Sequence, residues 1–205
     1  MLTIRNEKPS DAAAREALLD LAYGPARFGK PSQRLRARRR PAEGLALVAI
    51  EDGRLVGTVR LWEVAAGPAR AALLLGPLAV DPDCRRRGIG AALMQRALHE
   101  ASRRGHQAVL LVGDAAYYGR FGFSAERTGG LWLPGLDAPQ RLLGRELNPG
   151  ALDGARGVIH TPKHAPKHAP KQAPKQAPKQ APRQPARIAV PAATRRRHEA
   201  APQAA

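Results

Sequence analysis

The sequence predicts an α/β fold built around a mixed sheet. Two apolar runs, Leu45 to Ile50 and Leu55 to Val64, flank an Asp-Gly pair, which is typical of an antiparallel hairpin. The apolar run Ala71 to Val80 precedes an amphipathic helical segment and a further buried strand, Ala108 to Val112. A strand, helix, strand succession of this length requires a parallel pair with a right-handed crossover.

A strand and a helix are predicted at the N-terminus. Leu2 to Arg5 reads as a short strand, and Pro9-Ser10-Asp11 places a capping residue before a helix over Ala12 to Ala22. A second short helix is predicted over Gln33 to Arg40. We expect the arginines of this helix to be mostly solvated. The alternative is that these arginines steer an acidic substrate toward the site. These arginines are Arg34, Arg36, Arg38, Arg39 and Arg40.

The run Ala71 to Val80 has the apolar character of a central strand, but Gly76-Pro77 interrupts it. Proline donates no ladder hydrogen bond and glycine tolerates unusual dihedral angles, so the pair predicts a bulge or a splay of the sheet. From Gly88 the apolar spacing indicates a full-length amphipathic helix that ends at Gly105.

Secondary structure is less clearly indicated by the sequence after Val112. Asp114 is expected to cap a short helix, and Phe121-Gly122-Phe123 to lead into a further strand. Leu131 to Leu133 is predicted as another short strand. The remainder, to about Val158, is expected to be irregular. Its expected packing residues are Leu142, Leu143 and Leu147.

Charge and composition divide the chain at about residue 158. Of the net charge of +17, the stretch from Thr161 onward contributes +9, from ten basic residues and Glu199, and the remainder carries +8. That stretch has two large aliphatic residues and no aromatic one, too few to offset ordering entropy. We therefore predict a domain over residues 1–158 and a disordered basic tail over residues 159–205. A basic chain attracts polyanions such as nucleic acid, anionic lipid or nucleotide phosphates.

The cysteine content and the hydropathy of the chain limit the classes of protein to which it can belong. Cys84 is the single cysteine, which excludes an internal disulfide and fits a reducing compartment. No run approaches the roughly 18 apolar residues of a membrane span, and a cytoplasmic protein is expected. His160, His164 and His168 have a spacing that suits metal on a helix, but the intervening prolines forbid that helix, so no metal is predicted.

The start of the long helix has the features of an anion site. First-turn amides lack acceptors within the helix, and glycines at 88 and 90 let a phosphate approach the backbone. Three arginines, at 85, 86 and 87, add positive charge. A dinucleotide fingerprint would need a third glycine that this segment lacks. The pattern favours a phosphorylated nucleotide.

These residues resemble the GNAT N-acetyltransferases. Arg85-Arg86-Arg87-Gly88-Ile89-Gly90 matches the (Gln/Arg)-x-x-Gly-x-(Gly/Ala) signature of that family, and Leu78-Ala79-Val80-Asp81-Pro82 is similar to its lead-in. Tyr118-Gly119-Arg120-Phe121-Gly122-Phe123 resembles the second motif. The resemblance covers about Leu2 to Ala125. The segment Leu147 to Leu152 is similar to a bacterial branch of uncharacterised members.

The resemblance implies a strongly bent sheet whose fourth and fifth strands diverge around the pantetheine of acetyl-CoA. It also implies transfer of an acetyl group to a primary amine by direct attack on the thioester. The family uses small amines, antibiotics, amino acids and protein termini, so the acceptor stays open. The implied cofactor contacts are Leu78, Ala79, Val80, Arg85, Arg86, Arg87, Gly88, Ile89, Gly90 and Ala91.

Two residues are predicted to be catalytic. Tyr118 aligns with the family tyrosine near the sulfur, and a phenol is protonated at neutral pH. Tyr117 points elsewhere, because neighbours on a helix diverge by roughly 100°, and it is expected to pack in the core. Glu63 is the candidate base. A water chain is the alternative, since Asp114 is expected to be a cap and His106 an exposed loop residue.

A different class of function also stays open at this point. The chain would then be a non-catalytic coenzyme A-binding module that its basic tail tethers to nucleic acid or an anionic surface.

Overall fold

A computed structural model describes residues 1–162 of the chain; the predicted tail lies outside this range except for residues 159–162. The described part contains three α-helices, α1 Ala12–Tyr23, α2 Ile89–Arg103 and α3 Ala115–Tyr118. Its strands are β1 Leu2–Asn6, β2 Ala46–Glu51, β3 Arg54–Ala66, β4 Arg70–Val80, β5 Ala108–Val112, β6 Leu131–Trp132, β7 Leu142–Glu146 and β8 Gly157–His160.

The strands form the predicted mixed sheet, in the order β1-β2-β3-β4-β5-β7. Strands β4 and β5 are parallel, and the other neighbours along this path are antiparallel. β8 pairs with the end of β3 and with β6. The β2–β3 hairpin turns at Asp52 and Gly53, both with positive φ, as the Asp-Gly pair predicts. The central position of β4 is confirmed.

Helices cover both faces of the sheet. Residues of α2 pack with alternate residues of β3, β4 and β5 in one apolar cluster. On the opposite face, Leu18 and Leu19 of α1 pack against Ala79 of β4. Because strand side chains alternate between faces, Leu78 and Val80 point toward the α2 side, where they pack at the margin of the first cluster.

The predicted splay lies in the middle of β4. Pairing with β5 is formed by Leu73 with Val109 and Leu74 with Leu110, and the two strands diverge after that point. Gly76 has φ of +129°, the Gly76–Pro77 peptide is cis, and the pairing of β4 with β3 shifts register here. The indole Nε1 of Trp62 donates a 2.7 Å hydrogen bond to the Gly76 carbonyl, which fixes the interruption to β3.

Some predictions for the loops are wrong. The segment Gln33 to Arg40 forms turns rather than a helix, following a 3₁₀ turn at Pro31–Gln33, and it buries Leu35 and Arg36. The strand expected after Phe123 is reduced to one bridge between Ser124 and Gly144. His106 was expected to be an exposed loop residue, and this prediction is also wrong because His106 is buried.

The C-terminal part of the described chain is more regular than its sequence indicates. Strand β7 contributes the buried residues Leu142 and Leu143, so the packing predicted for them is confirmed. Strand β8 runs to His160 and buries Ile159 to 1% exposure. A boundary at residue 158 would cut this strand, so the folded part extends at least to His160.

Two further observations concern residues 1–162. None of the helices there combines the length and apolar character needed to cross a membrane. Within the same range, His, Cys, Asp and Glu side chains form no cluster of three or more that could hold a metal ion.

Candidate functional site

The N-terminus of α2 presents unpaired backbone donors. Gly88 is the N-cap residue with φ of +79°, a conformation that favours glycine. The first bond of the helix runs from the Ala92 N–H to the Gly88 carbonyl, at 2.9 Å. The amides of Ile89, Gly90 and Ala91 therefore have no acceptor within the helix, and the helix dipole makes this end positive.

A cavity of about 450 Å³, here called the α2 cavity, opens at this helix end. Its lining residues are Val80, Cys84, Arg85, Arg86, Gly88, Ile89, Gly90, Ala91, Tyr117 and Arg120. A Cβ built on Gly90 would lie 3.3 Å from Tyr117 Oη and 3.5 Å from Val80 Cγ2. The glycine thus keeps open a space that a larger side chain would fill.

The arginines that line the α2 cavity are only in part the three that the sequence predicts. Arg85 and Arg86 line the cavity, whereas the Arg87 guanidinium is paired with Glu51 at 2.6 and 2.8 Å. The third cation is Arg120, which lies 4.1 Å over the Tyr117 ring. Tyr117 itself is 36% exposed, so its expected core position is wrong.

A second cavity, of about 90 Å³ and here called the β4 cavity, lies where β4 and β5 diverge. It is lined by Tyr23, Arg27, Lys30, Ser32, Gln33, Arg36, Leu75, Gly76, Pro77, Leu78, Leu111, Val112 and Tyr118. Leu78 lines this cavity and Val80 lines the α2 cavity, so the end of β4 runs from one to the other. Ala79 points to the opposite face, against α1.

Tyr118 is held in the β4 cavity by the short helix α3. The Asp114 carboxylate accepts a 3.0 Å bond from the Ala116 N–H, as expected of a helix cap. The Tyr118 ring makes edge contacts with Tyr117 and Phe123, and most of its surface is buried. Burial raises the pKa of Tyr118 to about 12, because a phenolate would lose its solvation. The hydroxyl is therefore protonated at neutral pH.

Tyr23, the last residue of α1, is a site residue that the sequence analysis missed. Its hydroxyl donates a hydrogen bond to the Leu78 carbonyl, and burial raises the pKa of this phenol as well. In the sequence it is one residue beyond the predicted helix. No local pattern indicates that α1 ends beside the gap in the sheet.

The structure does not bring Glu63 to either cavity. Glu63 is half-buried on β3 opposite Leu73, and the lining of the α2 and β4 cavities does not include it. Its backbone carbonyl accepts a 2.9 Å bond from Arg39 Nη1. Cys84, which the sequence analysis left without a role, is buried beside Arg54 and Arg87.

This geometry suits one kind of chemistry. Cations and free amides at the start of α2 can bind phosphates, and the open edge of β4 leads from there to a buried phenol. A long ligand with an anionic end and a reactive neutral end matches that arrangement.

Known proteins share both the sequence pattern and the fold. The model of the acetyltransferase (GNAT) family matches residues 14–123. The uncharacterised N-acetyltransferase YhbS of Escherichia coli K12 is 34% identical over 127 residues, which are 60% of this chain and 73% of YhbS. An uncharacterised N-acetyltransferase of Streptomyces griseus is 32% identical over 149 residues, 67% of this chain and 35% of that protein.

Solved structures agree with this match. YhbS from E. coli in complex with CoA superposes with a TM-score of 0.67 at 30% identity, covering 78% of this chain and 89% of that one. A GNAT family acetyltransferase from Brucella melitensis in complex with acetyl-CoA gives 0.60 at 28% identity, covering 80% and 97%. With the splayed β4 and β5 and the glycines at the start of α2, these matches show that the chain belongs to the GNAT acetyltransferase family.

Proposed function

We propose that this protein transfers an acetyl group from acetyl-CoA to a primary amine. The observation that carries the proposal is the divergence of β4 and β5 after Leu74, which exposes one edge of β4 between the two cavities. The α2 cavity would take the anionic end of the cosubstrate. The β4 cavity would take its thioester and the acceptor amine.

The residues present fit coenzyme A. Its pyrophosphate needs close backbone donors, and the space kept open by Gly90 lies beside the free amides of the α2 first turn. Arg85, Arg86 and Arg120 are near enough to neutralise phosphate charge. The E. coli and B. melitensis relatives were solved with CoA and with acetyl-CoA, which supports the same ligand here.

We assign the cofactor contacts according to this geometry. The proposed contacts to phosphate and pantetheine are Leu78, Val80, Arg85, Arg86, Gly88, Ile89, Gly90, Ala91 and Arg120. Ala79 would contribute backbone only, because its side chain packs against α1. Arg87 would contribute through its backbone, since Glu51 holds its guanidinium.

The thioester supplies an activated acyl group. In the proposed reaction the acceptor nitrogen attacks the carbonyl carbon, the carbon–sulfur bond breaks, and the electron pair leaves with sulfur. Tyr118 donates its proton to that sulfur, for which its raised pKa keeps it protonated. We retain Glu63 as the proposed base, acting through water, and the proton lost by the amine passes to it. Exchange with solvent then returns a proton to Tyr118 and removes the proton from Glu63.

Calorimetric titration of acetyl-CoA and of free CoA into the full-length protein, at two salt concentrations, tests the cofactor site. We expect both ligands to bind at either concentration, because the backbone and pantetheine contacts are insensitive to screening. Binding that vanishes at the higher salt would indicate non-specific attraction of a polyanion to a basic chain. Absence of binding at both concentrations would overturn the proposed function.

A further inference from the structure

The β4 cavity contains a buried positive charge that no acidic side chain within residues 1–162 balances. Arg36 is 8% exposed, and its Nε is buried without a hydrogen-bond partner. Its Nη2 donates a 3.1 Å bond to Ser32 Oγ, a neutral acceptor. Among residues 1–162, no carboxylate forms a salt bridge with it. Burying an unpaired guanidinium costs stability, so a structure that keeps one has a place for an anion.

The guanidinium is directed at the reactive end of the site. Its Nη1 lies 3.5 Å from the position that a Cβ on Gly76 would occupy, at the interruption of β4. Tyr118 lines the same cavity. An anion bound by Arg36 would therefore lie within the small space in which acetyl transfer is proposed to occur.

The neighbouring side chains do not supply the missing negative charge. The lining of the β4 cavity includes Arg27 and Lys30 but neither aspartate nor glutamate. Arg27 is neutralised by Glu16 at 2.6 Å and by Asp20 at 2.8 Å. Lys30 lies 4.1 Å over the Tyr23 ring, and burial lowers the pKa of its amine. The cavity is therefore cationic, with Arg36 its deepest charge.

We propose that the acceptor is a small amine that carries a carboxylate, and that Arg36 binds this carboxylate and determines acceptor specificity. The inference rests on the proposed function, in which the phosphates lie in the α2 cavity. The thioester end of the cosubstrate carries no anion, so the anion at Arg36 belongs to the acceptor. A planar guanidinium pairs with a carboxylate through two parallel hydrogen bonds.

The same charge distribution disfavours other acceptors. Polyamines and aminoglycosides carry several positive charges, which Arg36 and Lys30 would repel at short range. The β4 cavity itself, of about 90 Å³, has room for a small group, and a neighbouring cavity of about 330 Å³ shares Lys30, Ser32 and Val112 with it. The charge at Arg36 favours amino acids and other amino carboxylates over these cationic acceptors.

The test measures acetylation of each of the twenty amino acids and of the corresponding amino acid amide, in which the carboxylate is replaced by a neutral carboxamide. Spermidine and kanamycin are included as cationic acceptors. The wild type should acetylate at least one amino acid with a kcat/KM at least tenfold above that of its amide. Arg36→Met should abolish this preference while leaving the KM for acetyl-CoA within about twofold. Arg36→Lys should retain part of it, since charge remains but the paired hydrogen bonds do not.

Arg34→Met is the matched control, because Arg34 is exposed on the same segment and lines neither cavity. It should leave the preference unchanged. Arg36→Met should also raise the melting temperature of the free protein, which shows that the variant folds and that the charge is buried unpaired.

Three results overturn the inference: a preference for amides or cationic amines, a carboxylate preference that survives in Arg36→Met, or binding of coenzyme A with no amino acid acetylated. A failure of the proposed function is recognised separately, because coenzyme A would then not bind in the calorimetric titration.

Discussion

The ring of Tyr118 lies against the backbone of Gly113, so closely that a Cβ built on Gly113 would stand 2.2 Å from Tyr118 Cε2. Gly113 directly follows β5, and Tyr118 closes the short helix that comes next. The absence of a side chain at residue 113 is what allows the phenol to fold back over the end of β5. Gly113 therefore positions the proposed acid although it lines neither cavity.

Gly113→Ala should displace the Tyr118 ring and lower kcat by tenfold or more, since misplacement by about 1 Å can cost that much or more. Affinity for CoA, measured by calorimetry, should change less than kcat, because Gly113 lines neither cavity. Gly129→Ala is the control, as a Cβ there meets nothing closer than 3.9 Å. Unchanged kcat in Gly113→Ala would show that the ring position does not matter for turnover.

Tyr118→Phe should lower kcat by about 10²- to 10⁴-fold, the usual contribution of a positioned general acid, with nearly unchanged CoA affinity. Tyr117→Phe is the matched control, because its hydroxyl lies at the α2 cavity instead. It should leave kcat within a few-fold of wild type. Equal kcat values for the two variants would refute the assignment of Tyr118.

The pH dependence follows from the raised pKa of Tyr118, about 12 in the folded protein against an ordinary value of 10. The folded state favours the protonated phenol, so the hydroxyl should not lose its proton below about pH 10. The contribution of Tyr118 to stability is then fully present below pH 10 and is lost between pH 10 and 12. Deprotonation of Tyr118 should therefore cause no decline in kcat between pH 6 and 9. Over this range the pH profiles of kcat for wild type and Tyr118→Phe should have the same shape.

Gly90→Leu should weaken binding of CoA at least a hundredfold, because the side chain would fill the space between Tyr117 and Val80. Gly129→Leu serves as the comparison for an exposed glycine changed in the same way. Both proteins should have melting temperatures within a few degrees of wild type. Retention of wild-type CoA affinity in Gly90→Leu would place the phosphates elsewhere.

Glu63→Gln tests the proposed base. If the carboxylate removes the amine proton through water, Glu63→Gln should lose most of its kcat/KM at neutral pH. Glu63→Asp should retain part of it. A wild-type kcat/KM in Glu63→Gln would assign deprotonation of the amine to solvent.

Truncation after residue 162 removes the predicted basic tail except for residues 159–162, and it leaves β8, which ends at His160, complete. We expect the truncated protein to keep wild-type kcat and KM for acetyl-CoA. Affinity for a 20-nucleotide single-stranded DNA at low salt should fall more than tenfold, because the removed residues carry nine net positive charges. Loss of turnover on truncation would make the tail part of the enzyme. A shorter protein, truncated after Val158, should unfold more readily than the protein truncated after residue 162, because it lacks the buried residue Ile159.

Local patterns in the sequence were enough to determine the main elements. The Asp-Gly hairpin, the interruption at Gly76-Pro77 and the glycines at the start of α2 each depend on backbone preferences of adjacent residues. Such preferences act over a few positions. The sheet, the long helix and the glycine- and arginine-rich start of that helix were therefore predictable.

Tertiary structure alone decided which distant residues share the β4 cavity. Tyr23, Arg36, Gly76 and Tyr118 come from four segments that no periodicity connects. Arg36 was expected in solvent because a run of arginines normally is, but the turn that buries Leu35 against Trp62 also turns Arg36 inward. Burial depends on the whole set of packing partners. It raises the pKa of Tyr118, and it leaves the Arg36 guanidinium without a carboxylate partner among the described residues. The sequence thus determined the scaffold and the glycine- and arginine-rich start of α2, whereas long-range packing decided which side chains line the β4 cavity.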